Sequence, residues 1–152
     1  MWFSRKQVAK APGNGSAVAG TGGQPGQITT KRLGDDAEAL ALAHLVRAGL
    51  RLAEANYRTP GRGGGEVDLV MHAPDGTLVF VEVRRRKSRL HGGAGASIGM
   101  TKQRRIIFAA RHYLMRFASA PPCRFDVVLV ECGDDAPGGL TVEWLQGAFE
   151  AD

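Results

Sequence analysis

The segment that most constrains this chain is Gly65-Glu66-Val67-Asp68-Leu69-Val70, followed after Pro74-Asp75-Gly76 by Leu78-Val79-Phe80-Val81-Glu82-Val83-Arg84. It sets three acids and one base into two strand-like runs that are otherwise apolar. Carboxylates are seldom buried unless paired or holding a metal, because losing their hydration costs several kcal/mol even after relaxation. The turn supplies the register. Proline suits the second position of a type I turn and glycine the left-handed residue after it, which is the pattern of a three-residue hairpin loop. Ala73 is then expected to face Thr77, Asp68 to lie opposite Glu82, and Glu66 opposite Arg84.

Side chains two apart on a strand share a face. One face thus gathers Glu66, Asp68, Glu82 and Arg84, while Val67, Leu69, Val79, Val81 and Val83 form the other. Opposed carboxylates repel, so a shared cation is the natural reason for Asp68 and Glu82 to stand together. A hairpin with one solvated polar face is the plainer alternative. Against it, Val70, Leu78 and Phe80 lie among the acids, so both faces of the hairpin are expected to be covered.

Charge is unevenly spread. The chain carries a net charge of +5. The first 32 residues hold five Lys or Arg and no acid, and Arg84 to Phe125 holds eleven more with no Asp or Glu. A basic band beginning beside an acidic cluster is what a phosphodiester substrate requires, since cations grip the backbone while acids hold an ion. A solvated basic face without a partner is the bland alternative. Arg85, Arg86, Lys87, Arg89, Lys102, Arg104 and Arg105 are the residues expected to contact nucleic acid.

The 152 residues, 43% hydrophobic and 23% charged, suit one domain. Residues 1–32, rich in Gly, Pro, Ser and Thr, read as a disordered basic leader. Residues 33–146 read as the folded domain and 147–152 as a tail. No window reaches membrane-span length and none reads as a signal peptide, so a cytoplasmic protein with no membrane partner is expected. Cys123 and Cys132 lack a zinc spacing, and His44, His72, His91 and His112 form no ligand pair.

Apolar spacing predicts a helix from Asp35 or Asp36 to Ala48, with Glu38 beside its apolar stripe. It also predicts a strand over Leu50–Tyr57, a glycine-rich loop over Arg58–Gly65, the hairpin, and a loop over Ser88–Met100. A second helix capped by Thr101 runs to about Ala118, followed by strands at Cys123–Glu131 and Leu140–Leu145. The layout is α/β, with strands enclosed between helices.

Gly34-Asp-Asp-Ala-Glu38, Leu45, Gly49, Asn56-Tyr57-Arg58, Gly65-Glu66-Val67-Asp68-Leu69 and Phe80-Val81-Glu82-Val83-Arg84, continued by Lys102 and Arg124-Phe125-Asp126, resemble the bacterial YraN family over residues 33 to 130. Those proteins are predicted endonucleases of the restriction-endonuclease-like PD-(D/E)XK superfamily, similar to archaeal Holliday junction resolvases. The resemblance implies a central mixed β-sheet flanked by α-helices. It makes Asp68 and Glu82 ligands of a divalent ion, Mg²⁺ or Mn²⁺, completed by Glu38, with Glu66 as an auxiliary acid. The superfamily's motif lysine is Arg84 here. Arginine can stabilise a phosphorane-like charge but cannot serve as a base, and Lys87 or Lys102 would be the substitutes.

Three readings stand at this point. One is a metal-dependent endonuclease on DNA rather than RNA, acting on branched or structured substrates through Glu38, Asp68, Glu82 and Arg84. The second is a nuclease-like protein that binds nucleic acid without cutting it. The third is a structural or adaptor protein whose acids are paired with Arg62, Arg84 and Arg85. A symmetric junction substrate would call for a homodimer.

Overall fold

The computed structural model describes residues 30–86, 98–132 and 140–151. The leader up to residue 29 and most of the basic loop, with Lys87 and Arg89, lie outside them. The elements run α1 (Thr30–Arg47), β1 (Arg51–Arg58), β2 (Glu66–His72), β3 (Leu78–Arg86), α2 (Met100–Leu114), β4 (Cys123–Cys132) and β5 (Leu140–Phe149). The five strands form one sheet in the order β1-β2-β3-β4-β5. Among the described residues only β3 and β4 pair in parallel, through the crossover that carries α2, so the sheet is mixed.

Each face of the sheet is covered. Ala37, Ala41 and Leu45 of α1 pack on Leu69, Met71, Val79, Val81, Val128 and Val130. On the opposite side Ile106, Ala109, Ala110 and Tyr113 of α2 pack on Tyr57, Val67, Val70, Leu78, Phe80 and Phe125. The expectation that both faces of the hairpin are buried therefore holds. Val67 is the exception to the expected alternation, since it joins the α2-side cluster while Leu69 joins the α1-side one. A matching irregularity lies in β1, where Asn56 has φ 52 and is the one non-glycine residue with positive φ among the described residues. Asn tolerates the left-handed region better than most residues.

The turn has the expected form. The Ala73 amide donates to the Thr77 carbonyl at 2.9 Å, the Gly76 amide donates to Ala73 at 3.0 Å, and Gly76 has φ 88. The ladder then runs His72↔Leu78, Met71↔Val79, Val70↔Phe80 and Leu69↔Val81.

Several boundaries differ from expectation. The first helix begins at Thr30 rather than at Asp35, with Gly34 inside it, a placement that costs about 1 kcal/mol relative to alanine. Packing of Ala37, Ala41 and Leu45 on the sheet outweighs that cost. The second helix starts at Met100 behind Gly99, without a side-chain cap, so Thr101 does not cap it. It ends at Leu114, short of Ala118. The last strand continues through Phe149, so residues 147–149 belong to the sheet and not to a tail.

Candidate active site at a fork in the sheet

The site exists because β2 and β3 part company. Beyond Leu69↔Val81, β3 stays paired with β4 as far as Arg86, while β2 stays paired with β1 as far as Arg58↔Glu66. Carried one residue beyond Leu69↔Val81, the register sets Asp68 level with Glu82 at the crotch of this fork. There the Val83 amide donates to Asp68 Oδ2 at 2.8 Å. The same divergence corrects the expected Glu66–Arg84 pairing. Glu66 lies opposite Arg58 of β1, and Arg84 lies opposite Leu129 of β4.

The Asp68 and Glu82 carboxyls lie within hydrogen-bonding reach of each other. Burial, and then the Asp68 charge, push the Glu82 carboxyl up to about 8, and burial also raises Asp68. Glu82 Oε2 is buried with no hydrogen-bond partner, and a buried polar atom of that kind asks for a missing ligand.

Helices bring charged groups to the fork from both faces. From α1, Glu38 comes within the electrostatic reach of Asp68. Its carboxyl is raised by burial and by Asp68, against a hydrogen bond from the Asn56 side chain. From α2, Lys102 Nζ stands 3.5 Å from Glu82 Oε1 and 3.1 Å from Glu66 Oε1. Burial alone would lower the lysine's pKa, but the carboxylates around it outweigh burial and hold it above its ordinary value. Glu66 is held below the usual range, first by its hydrogen bond from Lys102.

What places Lys102 is Gly65. A Cβ at that position would sit 2.1 Å from the Arg105 carbonyl and 2.6 Å from the Ala109 amide. Only glycine lets α2 approach β2 this closely.

Among the described residues, no group of three or more His, Cys, Asp or Glu side chains could hold a metal alone. The expected trio of Glu38, Asp68 and Glu82 is thus a close pair with a third acid nearby. The donor set still fits a hard cation, because Mg²⁺ is commonly held by one or two carboxylates together with water and substrate phosphate. The unpartnered Glu82 oxygen is the specific opening for it.

The basic residues fare unequally. Arg86 is half-buried and bonded to Glu131 at 3.3 Å, so its guanidinium is already engaged. Arg85 is half-buried, whereas Arg104 is exposed on α2. Arg84 is half-buried, two residues beyond Glu82 on β3. Arg105 lies 3.7 Å from Glu66, and Arg58 lies 3.6 Å from it. Arg58 and Asn56 were not singled out as site residues from the sequence. The only signal was their place in a short Asn-Tyr-Arg run beside the hairpin.

The mixed sheet between two helices, with an acid pair at its fork, defines an α/β protein of restriction-endonuclease-like fold. The chain belongs to the Uncharacterised protein family UPF0102, whose profile matches residues 37–130. A UPF0102 protein of Polaromonas naphthalenivorans is 65% identical over 154 aligned positions, covering 99% of each chain. A UPF0102 protein of Albidiferax ferrireducens is 67% identical over 123 positions, covering 81% of this chain and 91% of the relative. No helix among the described residues is long and apolar enough to cross a membrane.

Proposed function

We propose that this protein is a metal-dependent endonuclease that hydrolyses phosphodiester bonds in DNA, with Asp68 and Glu82 holding a Mg²⁺ or Mn²⁺ ion and Glu38 as the third acid. The observation that carries the reading is the buried, closely apposed Asp68–Glu82 pair, in which Glu82 Oε1 faces the Lys102 ammonium at 3.5 Å and Glu82 Oε2 is left without a hydrogen-bond partner. A purely structural pair would be expected to satisfy that oxygen.

When bound, such an ion would polarise the scissile phosphate and lower the pKa of an attacking water. The protein's own groups do the rest. The Val83 amide fixes the orientation of the Asp68 carboxylate. Burial and the Asp68 charge favour the protonated form of Glu82, so a cation would have to displace a proton there before both carboxylates could act as ligands. Lys102 brings a fixed positive charge to the place where negative charge would build up on the phosphate, and preorganised charge of this kind is among the largest catalytic effects. Exposed Arg104 and Arg105 on α2 would hold the neighbouring backbone.

A binding protein without cleavage is the second reading, favoured by the arginine at position 84 where the superfamily carries lysine. A panel of linear, flapped and branched DNA, with RNA beside it, incubated with Mg²⁺ or Mn²⁺, separates the two. Metal-dependent cleavage should be lost in Asp68→Ala and Glu82→Ala, with binding largely intact. A wild-type protein that binds these substrates and cuts none of them would leave only the binding reading.

A further inference from the structure

Beside the acid pair, the Thr59–Gly65 loop and α2 enclose a cleft of about 310 Å³ whose lining includes Arg58, Thr59, Gly63, Gly65, Glu66 and Arg105. The loop is tied at its base, where the Thr59 amide donates to the Gly65 carbonyl at 3.0 Å and the Gly65 amide donates to Thr59 Oγ1 at 2.7 Å. Gly61 and Gly63 have φ 90 and 70, and a Cβ at Gly64 would meet Thr59 Oγ1 at 2.3 Å. One wall is therefore largely bare backbone, the kind of surface a phosphate can approach closely.

The charges of the cleft are organised around a single carboxylate. Glu66 lies 3.6 Å from Arg58, 3.7 Å from Arg105 and 3.1 Å from Lys102. It thus occupies the point on which three cations converge. Lys102 also reaches Glu82, so the cleft and the acid pair are joined through one ammonium. The volume lies at the small end of the roughly 300–1,000 Å³ common for ligand sites, which fits one nucleotide rather than the width of a duplex.

We propose that this cleft is a subsite for one phosphate group of a nucleic-acid strand, in which Glu66 holds Arg58 and Arg105 in position until the phosphate takes them over. The inference rests on the nucleic-acid reading above. A phosphate entering the cleft meets two guanidinium forks, which suit its oxygens in bidentate geometry. It also lies beside the acid pair, where the next phosphate of the same strand would reach Asp68 and Glu82. The phosphate is either an internal diester or a terminal monoester.

The test measures binding of short single-stranded oligothymidylates, with and without a 5′-phosphate, to the full chain in EDTA across a salt series. Arg58→Gln and Arg105→Gln should each weaken binding roughly tenfold, the scale of one lost charge-assisted contact. Each should also reduce the log–log salt slope by about 1. Glu66→Gln should tighten binding, whereas Glu143→Gln, the same charge change on exposed β5, should not. Tighter binding of the 5′-phosphorylated strand assigns the subsite to a terminal phosphate, equal binding assigns it to an internal one, and either supports the subsite. The proposal is overturned if both arginine variants bind like wild type, if Glu66→Gln and Glu143→Gln act alike, or if no oligonucleotide binds at low salt. Cleavage with Mn²⁺ is scored separately. Binding through the cleft without cutting removes the nuclease reading alone, and cutting with unchanged affinity in the arginine variants removes the subsite alone.

Discussion

Lys102 Nζ stands 3.5 Å from Glu82 Oε1, so an ammonium from α2 faces the acid pair on β2 and β3 even though β3 itself carries arginine at position 84. If this ammonium stabilises charge in the transition state, Lys102→Met should lower the single-turnover cleavage rate by about 10²–10³-fold, the scale of losing one preorganised charge-stabilising group. Arg84→Lys should preserve or raise the rate and Arg84→Ala should lower it, because arginine at that position offers charge but no shiftable pKa. Full activity in Lys102→Met would dismiss the role assigned to it.

Gly65→Ala tests how Lys102 is positioned. The added methyl meets backbone rather than a flexible side chain, so α2 must shift. Overpacking of this kind costs roughly 1–3 kcal/mol, which urea denaturation would read. Because Arg105 and Lys102 share one helical turn, cleavage should fall further than the loss of folded protein explains. A variant with wild-type stability and rate would show that the contact is slack.

The acid pair should make the metal-free protein less stable as pH rises. In the unfolded chain Glu82 would titrate near the ordinary glutamate value of about 4.3, whereas in the fold it is pushed up to about 8. Between those values the folded state keeps a proton that the unfolded chain has released. The stability contributed by that proton is present in full below the unfolded pKa and is lost as pH climbs through the folded one. Burial raises Asp68 in the same direction. In EDTA, Tm should therefore fall between pH 5 and 8. Glu82→Gln should flatten that fall and raise Tm at pH 8 by about 2–6 °C, the scale of roughly 1–2 kcal/mol in a domain of this size. Mn²⁺ should restore the wild type at pH 8 by binding the folded state. An identical slope in wild type and Glu82→Gln would place the titration elsewhere.

Asp126 should matter for stability alone. It is fully buried at a break in the β4–β5 register, where it accepts from the Trp144 indole at 2.9 Å, the Gly147 amide at 3.0 Å and Arg124 Nε at 3.1 Å. Those bonds allow β5 to continue past its irregularity to Phe149. Asp126→Ala removes the partner of the half-buried Arg124 and the acceptor of two further donors, a loss of about 1.5–3 kcal/mol, the scale of hydrogen bonds to a charged group. Urea titration should show it, while the cleavage rate per folded molecule stays unchanged. A rate loss beyond the folded fraction would tie Asp126 to the site.

The hairpin was legible because its determinants are local. Pro74, Asp75 and Gly76 set the turn, the turn sets the register, and the register brings Asp68 level with Glu82 before any distant residue is considered. The two covered faces followed from alternation, apart from Val67. The helix ends were less legible, because Gly34 and Thr101 are weak local signals that packing overrides.

What the amino-acid sequence determined by itself was thus the acid pair, the α/β layering and the basic band, all of which rest on spacing along one strand or helix. The tertiary structure decided which cation meets which acid. Lys102 reaches Glu66 across 36 residues of chain, and it does so only because Gly65 admits α2 and because β2 and β3 follow different neighbours beyond Leu69 and Val81. Periodicity carries no information about where two strands separate. That point is set by the competition of β1 and β4 for the edges of the hairpin, a balance of long-range pairing and packing that no local pattern records.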